Sequence, residues 1–538
     1  YLREDEDLYQ QCFEKFAQAI KLKPDYTDAY DNWANALGYL ADQTGDEKLL
    51  EQCGEKYDSL LKIDPGDDLA YYHWGLAYLT FSRDREVAID LLRFAAGKFQ
   101  KAWEIDPEDE EYPEAIGNCL VAEADKTNNE LVYHQAFKKF KLAAGIEPTS
   151  SEVFNSWAKA LAKLAELKQD PDLFFDSCEK YKLAAERSPE DDDIYFHWAI
   201  TLSDLSTLTN DPKFNKLACE KYGMAAKLDS DCANYYFNWG LILNELFETE
   251  DNKEELLTEA CKRYSQAIQI TPEDSQIFDN WAISLAELGQ LNQDEETFLD
   301  CLAKHVKAIA CDPENAVAFF NWGVSLSWLG ELKGKNDEYL PLSWEKYAEA
   351  LRLLPSHQGA WFNWGNDLAQ LADSKNDKDL FIQSFDKFQQ LTDLNPNHDR
   401  AWYTWGEAMA NYAKQTNAPA FFIKAYKKFE KSLEIAPKSA IALHFWGNAL
   451  TDQGYIEENE ALFDQGVEKF TSALKLVPAD TEIMIDWANA LSDQAKTKLC
   501  SKTFEFSNQK YKKAAELGDN SHHLFSNWGV MLHRWALH

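Results

Sequence analysis

Residues 361–396 read WFNWGNDLAQLADSKNDKDLFIQSFDKFQQLTDLNP. Trp364 is followed by a small residue, Gly365, and by Leu368 four positions on, so Trp and Leu share one helix face. Ser384, Phe388 and Leu391 share a face in the same way. Between the two runs lies a polar turn, Lys375-Asn376-Asp377. Pro396 ends the second run, because proline has no N–H for the helix ladder and clashes with the preceding turn. The stretch is a helical hairpin.

The hairpin recurs along the whole chain of 538 residues. Trp33, Trp74, Trp157, Trp198, Trp239, Trp281, Trp322, Trp364, Trp405, Trp446, Trp487 and Trp528 fall 41 or 42 residues apart, and Ile116 fills the one gap in register. Each unit carries a Lys-aromatic pair, from Lys15-Phe16 to Lys510-Tyr511. Arg263-Tyr264 keeps the charge, and Lys304-His305 is the one departure from an aromatic carbocycle. Self-similarity at a fixed period means stacked units, each burying its apolar face only against its neighbours. An all-α solenoid of about 13 antiparallel helix pairs is expected, as one continuous array over 1–538. The tryptophans then read as core, and acidic runs such as Pro107-Glu108-Asp109-Glu110 read as helix starts.

The net charge of −38 disfavours nucleic acid and anionic membrane surfaces as partners. No run approaches the ~20 apolar residues of a spanning helix. Ten cysteines show no C-x-x-C pair. Cys12, Cys53 and Cys301 share one repeat position, and Cys178, Cys219 and Cys261 share the next, which suits small side chains at helix contacts and a reducing compartment such as the cytosol. No zinc, phosphate-loop or nucleophile-elbow spacing is present, so no catalytic residue, cofactor or metal is expected.

Trp361, Gly365, Ser384, Phe388 and Pro396 resemble the tetratricopeptide repeat family, whose first helix carries an aromatic and a small residue and whose second carries a small–aromatic–small–proline series. Trp364 replaces that family's usual leucine, and the unit exceeds its repeat of about 34 residues, so both helices should be about a turn longer. The resemblance implies a right-handed superhelix with the Trp helices lining a concave groove. Groove positions then lie two before, one before and two after each Trp.

One before Trp stand Asn238, Asn280, Asn321 and Asn363, similar to the asparagine ladder in the repeat arm of O-linked N-acetylglucosamine transferases. Their amides either hydrogen-bond a peptide main chain or are solvated drift. Phe196, Phe237, Phe320 and Phe362 stand two before Trp, and Ile200, Leu241, Ile283 and Val324 two after; later units turn polar at Asn366, Glu407, Asn448 and Asn489. This stripe is either a groove for an amphipathic or extended segment, or packing against neighbouring repeats. Acidic residues six after Trp, among them Asp452 and Asp493, and the scarcity of groove Lys and Arg point away from the acidic-tail clamp. The expected client is a protein or peptide that is neutral or basic with apolar anchors.

Three functions follow: a non-enzymatic scaffold or adaptor, the recognition arm of a larger enzyme, or a structural protein assembling through uncapped ends. The array begins within a Lys-aromatic helix and ends within a Trp helix, so a longer chain or packing at the ends is expected.

Overall fold

The computed structural model describes residues 2–82, 88–498 and 500–537. These residues form 26 α-helices and no strand. They fall into two compact units, Tyr1–Thr271 and Pro272–His538. In the first, α1 (Leu2–Leu22) precedes six hairpins: α2 (Thr27–Thr44) with α3 (Glu47–Ile63), α4 (Asp68–Ser82) with α5 (Ala88–Ile105), α6 (Glu111–Thr127) with α7 (Glu130–Ile146), α8 (Ser151–Lys168) with α9 (Pro171–Arg187), α10 (Asp192–Thr209) with α11 (Lys213–Leu228), and α12 (Ala233–Thr249) with α13 (Lys253–Ile270). The second holds α14 (Ser275–Asn292) with α15 (Glu295–Cys311), α16 (Ala316–Leu332) with α17 (Asn336–Leu353), α18 (Gln358–Lys375) with α19 (Lys378–Leu394), α20 (Asp399–Thr416) with α21 (Pro419–Ile435), α22 (Ala440–Ile456) with α23 (Glu460–Leu476), α24 (Thr481–Lys498) with α25 (Ser501–Glu516), and then α26 (His522–Ala536). These are tetratricopeptide-like hairpins in which each Trp helix packs most extensively on the Lys-aromatic helix that follows it. The expected thirteen pairs are therefore twelve hairpins, with α1 and α26 as half-units.

The residues added over the family's unit lengthen the helices and leave two-residue turns. Asn376 closes α18 in the left-handed region at φ 53°, and the Asp377 side chain accepts from the backbone N–H groups of Asp379 and Leu380 at the start of α19. Gly45-Asp46 and Asn128-Asn129 repeat the device. At its other end α19 stops before proline, with Asn395 extended at φ −133° because Pro396 disfavours a helical predecessor.

Small residues after Trp set the helix spacing. A Cβ on Gly323 would lie 2.5 Å from Tyr347 Cε1, and one on Gly240 would lie 2.6 Å from Tyr264 Cε1. The aromatic of each Lys-aromatic pair thus fills the notch beside the preceding Trp. Trp74 and Trp405 are buried and the other ladder tryptophans half-buried.

The lysine of the pair has a structural role that the spacing alone does not reveal. Its ammonium sits over the ring of the Trp one helix earlier: Lys56 over Trp33 at 4.0 Å, Lys98 over Trp74 at 3.2 Å, Lys304 over Trp281 at 4.1 Å and Lys428 over Trp405 at 3.2 Å. Arg263 does the same over Trp239 at 3.6 Å. Where Ile116 breaks the ladder, Lys139 sits over Trp103 of α5 instead, at 4.6 Å. Trp33, Trp157, Trp281 and Trp446 bury an indole N–H without a hydrogen-bond partner, so the ring face is the feature in use.

All ten cysteines are free thiols. Cys53, Cys119 and Cys301 are buried and Cys311 is exposed. Burial pushes the Cys53 and Cys219 thiols up to about 12, which keeps them protonated and inert. Among the described residues no helix is long and apolar enough to cross a membrane.

Candidate functional site

Most even-numbered helices approach the next even helix within their unit, as α2 does α4 in the first and α20 does α22 in the second, whereas odd helices do not approach each other so closely. The even side of each unit is therefore its tighter, inner wall.

The sequence-derived positions lie on the even helices, and they divide between the units. In the first unit Phe196, Phe237, Asn238, Ile200 and Leu241 are half-buried. The Phe196 ring lies 6.0 Å from Tyr222 and 5.0 Å from Tyr235, and Phe237 lies 6.1 Å from Tyr264. In the second unit Phe320 stands 6.0 Å from Tyr347 and 4.5 Å from His357, while Phe362 is buried against Phe388 and His398. Ile283 and Val324 are half-buried. Phe196, Phe320 and Phe362 wedge between the hairpin's own aromatic and a neighbouring helix, while Phe237 meets its own hairpin's aromatic.

The asparagines do not act alike. Asn238 donates to the Asn234 carbonyl at 2.8 Å and Asn280 to that of Gln276 at 2.9 Å, each one turn back on its own helix. Asn321 instead donates to Asp279 Oδ2 at 2.8 Å, tying α16 to α14. Asn363 is half-buried and hydrogen-bonds Tyr347. The donor half of the Asn238, Asn280 and Asn321 amides is committed within the chain.

The open spaces on the inner wall lie elsewhere. A cleft of about 890 Å³ runs across α4, α6 and α8. Leu76, Asn118 and Lys159 line it from two after the ladder position, and Tyr72 and Glu114 from two before. It lies beside Ile116. There α4 and α6 do not pack together as α2 and α4 do, and α5 leans heavily on α6. Tyr112, in α6, still donates to Asp68 Oδ2 at 2.5 Å at the start of α4. The floor is apolar (Leu76, Leu79, Val121), and on the rim Lys159 pairs with Asp193 at 2.7 Å, Lys163 with Asp125, and Ser156 donates to Glu114 at 2.7 Å. Burial pushes the Glu114 carboxyl above its ordinary range.

In the second unit a cleft of about 290 Å³ is formed by α20, α22 and α24, with Phe463 of α23 beneath. Glu407, Asn448 and Asn489 line it from two after Trp, and Asp452 and Asp493 from six after. Three of its carboxylates are paired. Asp452 meets Lys414 at 2.8 Å, Asp493 meets Arg534 at 2.6 Å, and Asp486 accepts from His444 Nε2 and Asn448 Nδ2, each at 2.8 Å. Glu407 has no such partner. Burial, with Asp373, Glu482 and Asp486 nearby and only His444 opposing, pushes its carboxyl up to about 7.

Asp279, His305 and Ser325 lie in a row with the outline of a hydrolytic triad, but Asp279 Oδ1 and His305 Nδ1 make no hydrogen bond. Asp279 Oδ1 lies 3.2 Å from His305 Nδ1, and His305 Nε2 lies 3.0 Å from Ser325 Oγ. All three are buried. Ser325 donates its one hydroxyl hydrogen to the Asn321 carbonyl at 3.0 Å, and neither cleft reaches it. The cluster ties α14, α15 and α16 together where His305 replaces the aromatic; its serine is not presented as a nucleophile. Sequence reasoning recognised His305 as the departure but not its partners, which come from two other helices.

No family model matches the chain, and no curated protein matches it. Solved structures do. YrrB, described as a tetratricopeptide repeat protein with an unusual peptide-binding site, is 20% identical, covering 42% of this chain and 97% of its own, with a TM-score of 0.29. Yeast Tom70 is 16% identical, covering 94% of this chain and 96% of its own, with a TM-score of 0.31. Human IFIT1, solved as a dimer with PPP-AAAA, is 14% identical, covering 78% of this chain and 90% of its own, with a TM-score of 0.38. At these values the likeness is one of fold, and nothing about this chain's ligand follows from it.

Proposed function

We propose that this tetratricopeptide-like array is a protein-interaction scaffold whose even-helix wall holds a segment of another polypeptide. The observation that carries the reading is the placement of the inner clefts. In both units the residues two after the ladder position, Leu76, Asn118 and Lys159 in one and Glu407, Asn448 and Asn489 in the other, line open space on that wall. A cleft of about 890 Å³ with an apolar floor and a polar rim has the size and make-up of a ligand groove. Phe196, Phe237, Ile200, Leu241 and Asn238 extend the wall in the first unit. Asn280, Asn321, Asn363, Phe320, Phe362, Ile283 and Val324 extend it in the second. A single continuous array is part of the proposal, since Tyr264, Pro272 and Trp281 keep the repeat register through the boundary at Thr271.

The test places a photo-crosslinking amino acid at Leu76, Leu241 or Val324, with an outer control at the exposed Leu299 of α15. In an extract of the native source, one client should be captured from the three inner positions and not from Leu299. Leu76→Glu should abolish that capture with helicity and melting retained. Capture from Leu299 alone, or capture undiminished by Leu76→Glu, overturns the reading.

A further inference from the structure

We propose that the cleft between α20, α22 and α24 receives an arginine or lysine side chain of a bound peptide, with Glu407 as its counter-ion. The inference rests on the reading of the even-helix wall as a peptide groove and adds the chemistry of one anchor. The cleft, about 290 Å³, holds one long side chain rather than a whole ligand. Its own cations are already committed: Lys414 to Asp452 at 2.8 Å and Arg534 to Asp493 at 2.6 Å. Asp486 is likewise satisfied by His444 and Asn448. Glu407 alone is a carboxyl that projects into the cleft with neither a hydrogen bond nor an ion pair.

An enclosed, unpaired carboxyl is costly in its charged form, and a matching cation removes that cost on arrival. Facing groups sharpen the choice of sign. Asp373 from α18 and Glu482 and Asp486 from α24 all oppose the charge on Glu407, and only His444 of α22 favours it. A guanidinium or ammonium on a flexible stem can reach the single unpaired carboxyl, and Phe445 and Phe463 give its methylenes apolar contact.

The experiment titrates the full chain calorimetrically with a capped peptide alternating alanine and arginine, with the same peptide carrying norleucine for arginine, and with spermidine. The arginine peptide should bind, and Glu407→Gln should weaken it about ten-fold, the worth of one charge-assisted contact. Because the free carboxyl titrates at about 7, affinity should fall from pH 8 to pH 6 in the wild type and stay level in Glu407→Gln. Absence of arginine-peptide binding, or equal binding by Glu407→Gln, overturns the proposal. Equal binding of the norleucine peptide overturns the cation site while leaving the peptide groove standing. Spermidine binding as tightly as the peptide assigns the cleft to a free polyamine and overturns the peptide anchor.

Discussion

At the scale of single residues, the lysine over each indole explains a motif that helix patterning leaves idle. Lys428 illustrates the balance. Its ammonium lies 3.2 Å from the Trp405 ring centroid, which attracts it, while burial pushes its pKa down to about 8. A lysine whose folded pKa lies below its unfolded value leaves the unfolded state holding more protons between the two, so stability rises with pH across that window. In urea melts from pH 8 to about 10.5, the wild type should gain stability relative to Lys428→Met; a difference independent of pH would refute the linkage. Asp367 carries the opposite sign. It is buried, and its carboxyl is pushed up to about 7. Ser343 has one hydroxyl hydrogen within reach of both the Leu340 carbonyl at 2.8 Å and Asp367 Oδ2 at 3.0 Å, a conflict that a protonated Asp367 resolves by donating to Ser343. Stability from this group is present below about pH 4 and is lost as pH rises toward 7. Asp367→Asn should therefore stabilise by about 1–3 kcal/mol at pH 8 and be near neutral at pH 4. An equal effect at both pH values would show that ionisation is not involved.

At the scale of elements, the glycine after Trp decides how closely two helices approach. A methyl on Gly323 meets the Tyr347 ring at 2.5 Å, so Gly323→Ala must displace an aromatic that is itself buried. It should cost about 1–3 kcal/mol. Gly97, within α5, has nothing within 4 Å of its added Cβ. There the same substitution should stabilise by about 0.5–1 kcal/mol through helix propensity. Equal effects at the two sites would remove close approach as the reason for the glycine. Helix positions, turns and the notch were legible beforehand, because periods of 3.6 residues and breaker residues are local signals. The inner clefts were not. Phe320 and Phe362 stand in register with groove positions, yet their rings reach His357 and His398 at the start of the next even helix. That distance is set by how repeats stack.

At the scale of the molecule, an array held by neighbour contacts should fail locally. With Gly323→Ala, amide exchange should quicken in α14 to α18 and remain at the wild-type rate in α2 to α9; a uniform increase would show a single cooperative unit. Chain order alone determined that the protein is a stack of helical hairpins, where their turns fall, and which side chains recur at the seam, since those properties depend on residues within one repeat of each other. Tertiary structure decided where the wall opens. Ile116 in place of Trp gave no sign in the sequence that α4 and α6 would part while α5 supplied Trp103 to Lys139. Nor did Glu407 differ, as a letter, from its neighbours in an acidic chain. Only the packing of three even helices leaves it without a partner, because pairing is a matter of distance between repeats and not of position within one.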